Sequence, residues 1–384
     1  RYLNLAVKNN HVDSMYQLGC IYSSVKLGAT DIDKAIYYFK MAADKNDPRA
    51  QHKLALIYLI EKNDIDKAIS YFRAAIMRNY LDSFYELGLI LLNGLGVKRK
   101  VSLAIQYFQW AALHGHLSSQ IELGKFYYKG AYVRQSIENS IFYYNLAAKQ
   151  NDVQSLLMIG HIFSDGLFIE RDIQKAIGFF EKASELNNSE AKYLLGTLYL
   201  NGKYIKRDYQ KAFSYIQEAA DLGHIDACYA LGKIFYDGII VERDISTSLN
   251  FLTKSANKGN TNAQSAVGYL FYLGFFEDDS SERLMDLLLP PGTELNPFAL
   301  YMLGKVYYEG HYVPKDISKA IVLFNLAFDC NDSYAAYILG KIYYEGIEVE
   351  RDEALALNYL NIAAGMDNGA AICALHIIKA RTNK

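Results

Sequence analysis

Apolar residues in this chain recur at helical spacing. In one representative segment they stand at i, i+3, i+4 and i+7, as Ala191, Leu194, Leu195 and Leu198. This spacing places a single apolar stripe along one side of a helix, whereas a half-buried strand would alternate apolar and polar residues. Two such segments, separated by polar turns, occupy each stretch of 36 residues. The pattern therefore predicts pairs of helices, each of which buries one face.

A column of small residues fixes the length of the repeat. Its members follow one another at intervals of 36, 33 and then seven times 36 residues: Gly19, Ala55, Gly88, Gly124, Gly160, Gly196, Gly232, Gly268, Gly304 and Gly340. Units of fixed period stack in a line instead of folding around one central core. The predicted fold class is all-α, a right-handed α/α superhelical solenoid of about ten to eleven antiparallel helix-pair repeats of 36 residues, forming one domain over residues 1–384.

Recurrent residues within the repeat have structural interpretations. A second glycine stands six residues after the column in eight copies, from Gly94 to Gly346, and is typical of the left-handed residue that ends a helix. Asp or Ser stands twelve residues after the column in most copies, as at Asp172 and Asp208, and favours the N-cap of the second helix. A glycine inside a helix costs about 1 kcal/mol relative to alanine, so the column itself predicts that the two helices of a pair approach closely.

The consensus of the repeat resembles that of a known family. Residues 191–196 read Ala-Lys-Tyr-Leu-Leu-Gly and are followed by Arg207-Asp208 and Lys211-Ala212, while residues 341–346 with Arg351-Asp352 show the same pattern. These motifs are similar to those of the Sel-one-like repeat (SLR) family, which is related to the tetratricopeptide repeats. The resemblance covers essentially the whole chain and implies scaffold or adaptor roles rather than one chemistry. A bacterial branch of that family, linked to β-lactam binding, carries a cysteine pair in every repeat, and this sequence lacks those pairs.

Charge and cysteine content narrow the classes of function. The formal net charge of −2 argues against a nucleic-acid partner, because a general nucleic-acid surface needs an excess of Lys and Arg. No apolar run approaches the roughly 18 residues of a membrane span. The four cysteines, Cys20, Cys228, Cys330 and Cys373, stand far apart. We expect buried or half-buried thiols, which favours a reducing cytoplasm over a secreted or endoplasmic reticulum location.

The sequence contains no arrangement typical of catalysis or metal binding. His116 and His224 occupy the same position just before a first helix, which indicates a positional role rather than metal ligation. The chain has no HExxH motif, and Gly94-Leu95-Gly96 lacks the strand and the GK[ST] sequence of a phosphate-binding loop. We therefore predict no catalytic residue, no metal site and no cofactor.

One face of the first helices is predicted to bind partners. On this face, tyrosines recur three residues before and four residues after the glycine column, and lysines recur one residue after it. Tyrosine offers flat apolar area and lysine meets carboxylates, a combination that suits proteins or extended peptides. The predicted partner-binding residues are Tyr229, Lys233, Tyr236, Tyr301, Lys305, Tyr308, Tyr337, Lys341 and Tyr344. The alternative is that these tyrosines belong to the repeat pattern and pack between neighbouring repeats.

One repeat departs from the pattern between residues 275 and 297. Glu277-Asp278-Asp279 replaces the usual loop, and Pro290-Pro291 stops the second helix early. This segment is interpreted either as a hinge, where packing is lost, or as a docking site formed by Phe275-Phe276 and residues 287–289.

A protein-binding scaffold is the function that these features favour. We expect a non-catalytic monomer that binds partner proteins or peptides along a concave groove. An RNA-binding helical-repeat protein is an alternative, although such proteins need basic grooves. A bacterial host-interaction factor or a factor that binds cell-wall fragments is a further alternative, and an enzyme would require a titratable cluster.

Overall fold

The computed structural model describes residues 2–24, 30–275, 296–310 and 313–382. These residues form 21 α-helices and no strand. The helices are α1 Tyr2–Lys8, α2 Val12–Ser23, α3 Ile32–Ala43, α4 Pro48–Ile60, α5 Ile65–Ile76, α6 Leu81–Asn93, α7 Val101–Leu113, α8 Leu117–Lys129, α9 Ile137–Ala148, α10 Val153–Asp165, α11 Ile173–Glu185, α12 Ser189–Asn201, α13 Tyr209–Asp221, α14 Ile225–Asp237, α15 Ile245–Ala256, α16 Thr261–Tyr272, α17 Pro297–Glu309, α18 Ile317–Asp329, α19 Ser333–Glu345, α20 Glu353–Gly365 and α21 Gly369–Thr382.

The chain divides into two compact units, unit 1 from Arg1 to Leu186 and unit 2 from Asn187 to Lys384. Within each unit, successive helices joined by short turns pack as antiparallel pairs, for example α10 with α11 and α19 with α20. The all-α fold of stacked helix pairs is thereby confirmed, while the single domain over residues 1–384 stays a prediction. The predicted hinge or docking segment falls largely on residues 276–295, which lie outside the described residues.

At the glycine column, the two helices of a pair pack too tightly to admit a side chain. A Cβ added at Gly160 would lie 2.3 Å from Cε1 of Phe180, and one at Gly340 would lie 2.7 Å from Cγ of Leu360. The same relation, to the residue twenty positions later, holds for Gly19–Phe39, Gly88–Phe108, Gly124–Tyr144, Gly196–Ile216, Gly232–Leu252 and Gly304–Phe324. Close-packed interiors have no room for such overlap. The predicted close approach is confirmed, and the side chain that demands glycine is a large buried one of the second helix.

Gly268 is in a different environment. Here the first helix α16 lies directly against the next first helix α17, and a Cβ at Gly268 would be 3.4 Å from Cα of Ala299. Asn296, which caps α17, donates from Nδ2 to Oγ of Ser265 at 2.9 Å and so joins the two helices. The closeness of α16 and α17 brings Lys305 of α17 into contact with Tyr272 of α16.

The helix ends follow the predicted caps. The second glycine lies at positive φ, 63° at Gly166 and 66° at Gly346, where a side chain would be strained. The carboxylate of Asp172 accepts the backbone N–H of Lys175 at 3.0 Å, as expected for an N-cap. Lys100, at the equivalent position, makes no such bond, because lysine has no acceptor.

Parallel ring pairs lie beside the glycine column in most of the described repeats. Tyr199 stacks on Tyr215 with ring centroids 6.2 Å apart and planes 7° apart. Phe235 stacks on Phe251 with centroids 6.1 Å apart and planes 2° apart. The lysine of the second-helix motif covers the same stack, with Nζ of Lys211 5.1 Å from the Tyr199 ring centre. The motif residues that carry the family resemblance therefore stabilise the helix pair.

Candidate functional site

Three of the predicted partner-binding residues line one cavity at the end of unit 2. It has a volume of about 220 Å³ and lies between α19, which contributes Tyr337, Lys341 and Tyr344, and two isoleucines of α21. The three residues share one face because they are spaced four and three residues apart on a helix. The ammonium of Lys341 makes no hydrogen bond or ion pair with any residue that the structure describes. The guanidinium of Arg351 lies 5.3 Å from the centre of the Tyr344 ring.

A second cavity of unit 2 contains two more of the predicted residues. Tyr229 and Lys233 line it from α14, and Tyr193 lines it from α12, around a volume of about 490 Å³. Lys233 is exposed, and the described part of the chain offers it no ion-pair partner. Tyr236 is half-buried beneath the guanidinium of Arg243, which lies 5.0 Å from its ring centre.

Lys305 is held by neighbouring side chains. Its Nζ donates to the hydroxyl of Tyr272 at 3.1 Å, lies 4.4 Å from the centre of that ring, and is 3.5 Å from a carboxylate oxygen of Glu309. Burial acts to lower the pKa of Lys305, but the Tyr272 hydrogen bond and the nearby Tyr301 and Glu309 raise the pKa above its ordinary value. A lysine with these contacts is less available to a partner's carboxylate than Lys341 or Lys233.

The tyrosines beside Lys305 pack within the fold. The Tyr301 ring lies 6.0 Å from Phe324 and 5.8 Å from Tyr334, and burial raises its pKa. The Tyr308 ring lies 6.3 Å from Phe324. In unit 2, Tyr193 likewise stacks on His224 at 4.7 Å. These contacts favour the packing alternative for the tyrosines three before the glycine column, although each keeps a partly exposed surface.

The histidines before the first helices act as caps. Nδ1 of His224 accepts the backbone N–H of Ala227 at 3.2 Å, so Nε2 carries the proton and donates to a carboxylate oxygen of Glu190 at 2.9 Å. His116 makes the same capping bond to Ser119 at 3.2 Å, and burial lowers its pKa. This gives both residues a structural role. Across the described ranges, no group of three or more His, Cys, Asp or Glu side chains could hold a metal ion.

The cysteines follow the prediction with one exception. Cys228 is buried, Cys20 and Cys330 are half-buried, and all four thiols are free. Cys373 is exposed, so the expectation of a buried or half-buried thiol was wrong there. It lies on α21, where no further described helix covers that face. Among the helices described, none combines the length and the apolar character needed to cross a membrane.

A cavity in unit 1 was not singled out from the sequence. Its volume is about 480 Å³, and it is lined by Lys125, Tyr128 and Lys129 of α8, Tyr144 of α9 and Ser155 of α10, among others. One signal was available in the repeat alignment. In the other described helix pairs, the residue twenty positions after the column glycine is Phe, Ile or Leu, whereas the residue twenty positions after Gly124 is Tyr144.

Comparison with known proteins gives matches along most of the chain. The model of the Sel1 repeat family matches nine segments, residues 12–47, 48–80, 84–116, 117–152, 153–188, 189–224, 225–260, 297–332 and 333–368. A comparison with curated protein sequences gives no match.

Two solved structures are similar over nearly their full lengths. A protective antigen of uropathogenic Escherichia coli strains, displaying an SLR fold, is 24% identical over 99% of this chain and 82% of its own, with a TM-score of 0.64. A Sel1 repeat protein from Oxalobacter formigenes is 24% identical over 89% of this chain and 90% of its own, with a TM-score of 0.61. At this identity the likeness concerns the fold.

Proposed function

We propose, since this chain belongs to the Sel1 repeat family, that it binds extended, acidic segments of partner proteins along the exposed face of the first helices in unit 2. Sel1 repeat proteins are generally protein-interaction scaffolds and are generally non-catalytic. The proposed binding residues are those predicted from the sequence: Tyr229, Lys233, Tyr236, Tyr301, Lys305, Tyr308, Tyr337, Lys341 and Tyr344.

The observation that carries the proposal is the cavity around Lys341. The ammonium of Lys341 has no ion-pair partner among the described residues, and it shares this cavity with Tyr337, Tyr344 and isoleucines of α21. A partner carboxylate that reaches Lys341 is partly removed from water, which strengthens its attraction. Apolar parts of the same segment are buried between the tyrosines and isoleucines, which contribute area at a low entropy cost.

Charge order along the helix supports a defined direction of binding. Lys341 is followed four residues later by Glu345, and Lys233 by Asp237, both acids being exposed. A bound segment thus meets a cation and then an anion in each of α14 and α19. Complementary charges of this kind contribute mainly to register and to the rate of association.

Charge reversal at Lys341 tests the proposal. Peptides selected from a random displayed library on the immobilised protein should be enriched in acidic residues beside apolar ones. Lys341→Glu should weaken the best of these peptides about tenfold in Kd, because attraction becomes repulsion at a partly desolvated site. The matched control is Lys254→Glu on the second helix α15, which is exposed and outside the described cavities.

Lys305→Glu is a weaker test of the same idea. Its introduced carboxylate would face Glu309 and would lose the contact with Tyr272, so we expect a lower melting temperature. A binding loss in that variant would mix stability with recognition. The proposal is wrong if Lys341→Glu, with an unchanged melting temperature, binds every selected peptide as the parent does.

A further inference from the structure

Three loops of unit 1 expose large apolar side chains. Each loop joins the first helix of a pair to the second, and the loops comprise residues 94–100, 130–136 and 166–172. Leu95 is 48% exposed, Leu167 73% and Phe168 54%. Because the helices of each pair are antiparallel, the three loops lie at the same end of their pairs. Single exposed apolar residues are common, but a cluster of them along one edge indicates a surface that binds something.

Aromatic contacts join the three loops into one edge. The guanidinium of Arg99 in the first loop lies 5.4 Å from the centre of the Tyr132 ring in the second. The Phe168 ring of the third loop lies 5.9 Å from the ring of Tyr128, near the end of α8. Tyr132 is exposed and has a φ of 69°, at the position where the preceding repeat has Gly96. This edge therefore keeps a tyrosine in a backbone conformation that favours glycine. We call the exposed residues of the three loops the loop edge.

The first loop has lost the acidic residues of the repeat. The four residues before the second helix read Val-Glu-Arg-Asp at 241–244, whereas they read Val-Lys-Arg-Lys at 97–100. The side chains of Lys98 and Lys100 are exposed and make no hydrogen bond or ion pair with a described residue. Lys100 also replaces the acid that caps the second helix in other repeats. The loop is therefore basic at the expense of a helix cap.

The loop edge is positively charged although the whole chain has a formal net charge of −2. Its three loops contain the cations Lys98, Arg99, Lys100, Arg134 and Arg171 and the acids Glu170 and Asp172. The carboxylate of Asp172 is already paired with Lys175 at 3.0 Å. The adjoining helix ends add one cation, Lys129, and two acids, Glu138 and Asp165. An anionic surface is therefore attracted to this edge.

We propose that the loop edge attaches the protein to the surface of an anionic lipid bilayer. Packed helices lie about 8–10 Å apart, so the three loops of successive repeats spread over about 20 Å, which suits a flat surface. Leu95, Leu167 and Phe168 enter the boundary between headgroups and acyl chains, and Tyr132 lies at the headgroup level. The lysines and arginines meet lipid phosphates and carboxylates. Stable attachment needs an apolar and an electrostatic contribution together, and the loop edge has both.

Sedimentation with lipid vesicles tests this assignment on the full chain. One set of vesicles is phosphatidylcholine alone, and the other contains about one third phosphatidylserine. The protein should bind the anionic vesicles at least about tenfold more tightly, because each basic residue near an anionic surface strengthens attachment about fivefold. High salt should weaken this binding. Equal binding to both kinds of vesicle, or binding to neither, overturns the assignment.

Restoring the acids of the repeat separates attachment from folding. Lys98→Glu with Lys100→Asp gives the first loop the sequence found at 241–244 and returns a capping carboxylate to α7. The melting temperature should stay the same or rise, while binding to anionic vesicles should weaken more than about tenfold. The matched control is Lys45→Glu with Lys149→Glu, an equal change of charge on exposed turns at the other end of the helix pairs. The control should bind as the parent does, and equal binding by the two variants contradicts the loop edge.

The apolar residues distinguish a bilayer from another polyanion. Leu95→Ser with Leu167→Ser should weaken binding to anionic vesicles about tenfold at unchanged charge, because the inserted apolar area is lost. Binding to heparin, a soluble polyanion without an apolar layer, should not respond to this change. Unchanged vesicle binding in the leucine variant would show that the bilayer is not entered, and would identify the edge as a site for acidic polymers or acidic proteins instead.

A variant of unit 2 keeps the two proposed surfaces apart. Lys341→Glu lies outside unit 1 and should leave vesicle binding unchanged. Failure of the loop edge therefore leaves the proposed function of unit 2 untouched. Loss of vesicle binding in Lys341→Glu would assign the lipid to unit 2 and overturn the loop edge.

Discussion

At Gly160, a hydrogen atom in place of a methyl group decides how closely α10 and α11 approach. A Cβ there would lie 2.3 Å from Phe180, whereas one at Gly178 on α11 would meet nothing within 4 Å. The two glycines belong to the same helix pair and differ in their surroundings. The energetic cost of glycine in a helix is therefore offset by packing at the first position and not at the second.

Alanine at these two positions should have opposite effects. Gly160→Ala should destabilise the protein by about 1–3 kcal/mol, as overpacked cores do, while Gly178→Ala should stabilise it by up to about 1 kcal/mol through helix propensity. The measurement is the midpoint of urea unfolding followed by circular dichroism. Changes of the same sign in both variants would show that Phe180 does not impose the glycine.

At the scale of elements, buried polar contacts join successive first helices. Nδ1 of His52 on α4 lies 3.0 Å from Oγ of Ser83 on α6. The His52 side chain is buried, with 6% of the residue exposed. Burial lowers the pKa of His52 to about 4; the nearby Asp82 opposes this shift, while Lys53 and His116 add slightly to it. Burial therefore keeps the imidazole of His52 neutral in the folded protein down to about pH 4.

Because of His52, the protein should become less stable as the pH is lowered. In the unfolded chain its pKa returns to about 6.5, so between about pH 6.5 and 4 the unfolded state binds a proton that the folded state does not. The free energy of unfolding is highest above pH 6.5 and decreases by about 3 kcal/mol on acidification through this window. Urea unfolding at a series of pH values should show a shallower dependence in His52→Gln. His114→Gln, a change at an exposed histidine, should leave the pH dependence of stability as it is in the parent. If the parent, His52→Gln and His114→Gln all show the same pH dependence, His52 is not its cause.

At the scale of the molecule, each unit is a stack in which a helix pair contacts its neighbours. The folding free energy of such a stack is approximately the sum of the stabilities of its repeats and of the interfaces between neighbouring repeats. A destabilising substitution therefore affects mainly its own repeat and the adjacent ones. In unit 2, a Cβ at Gly340 would lie 2.7 Å from Cγ of Leu360, which joins α19 to α20.

A substitution at Gly340 should loosen one part of the chain. Gly340→Ala should speed amide hydrogen exchange in α19, α20 and α21 by tenfold or more, as expected for a loss of about 1–2 kcal/mol in local stability. Exchange in α2 to α5 should be unchanged. Hydrogen exchange with mass spectrometry of peptic fragments measures this directly. A uniform increase along the whole chain would indicate one cooperative unit instead of a stack.

The sequence by itself determined the repeat length, the helix pairs, the caps and the need for glycine in its column. These features depend on residues a few positions apart, or on a spacing that recurs in nearly every copy. It could not identify which large residue, twenty positions later, requires each glycine, because that pairing depends on the angle at which the helices pack.

The tertiary structure alone decided which residues of one column have contacts within the fold. Lys305 and Lys341 are equivalent in the repeat, yet Lys305 contacts Tyr272 because α16 lies directly against α17, and Lys341 faces a cavity. Local propensity fixes the helices of a repeat protein, while the availability of a side chain depends on contacts with other repeats.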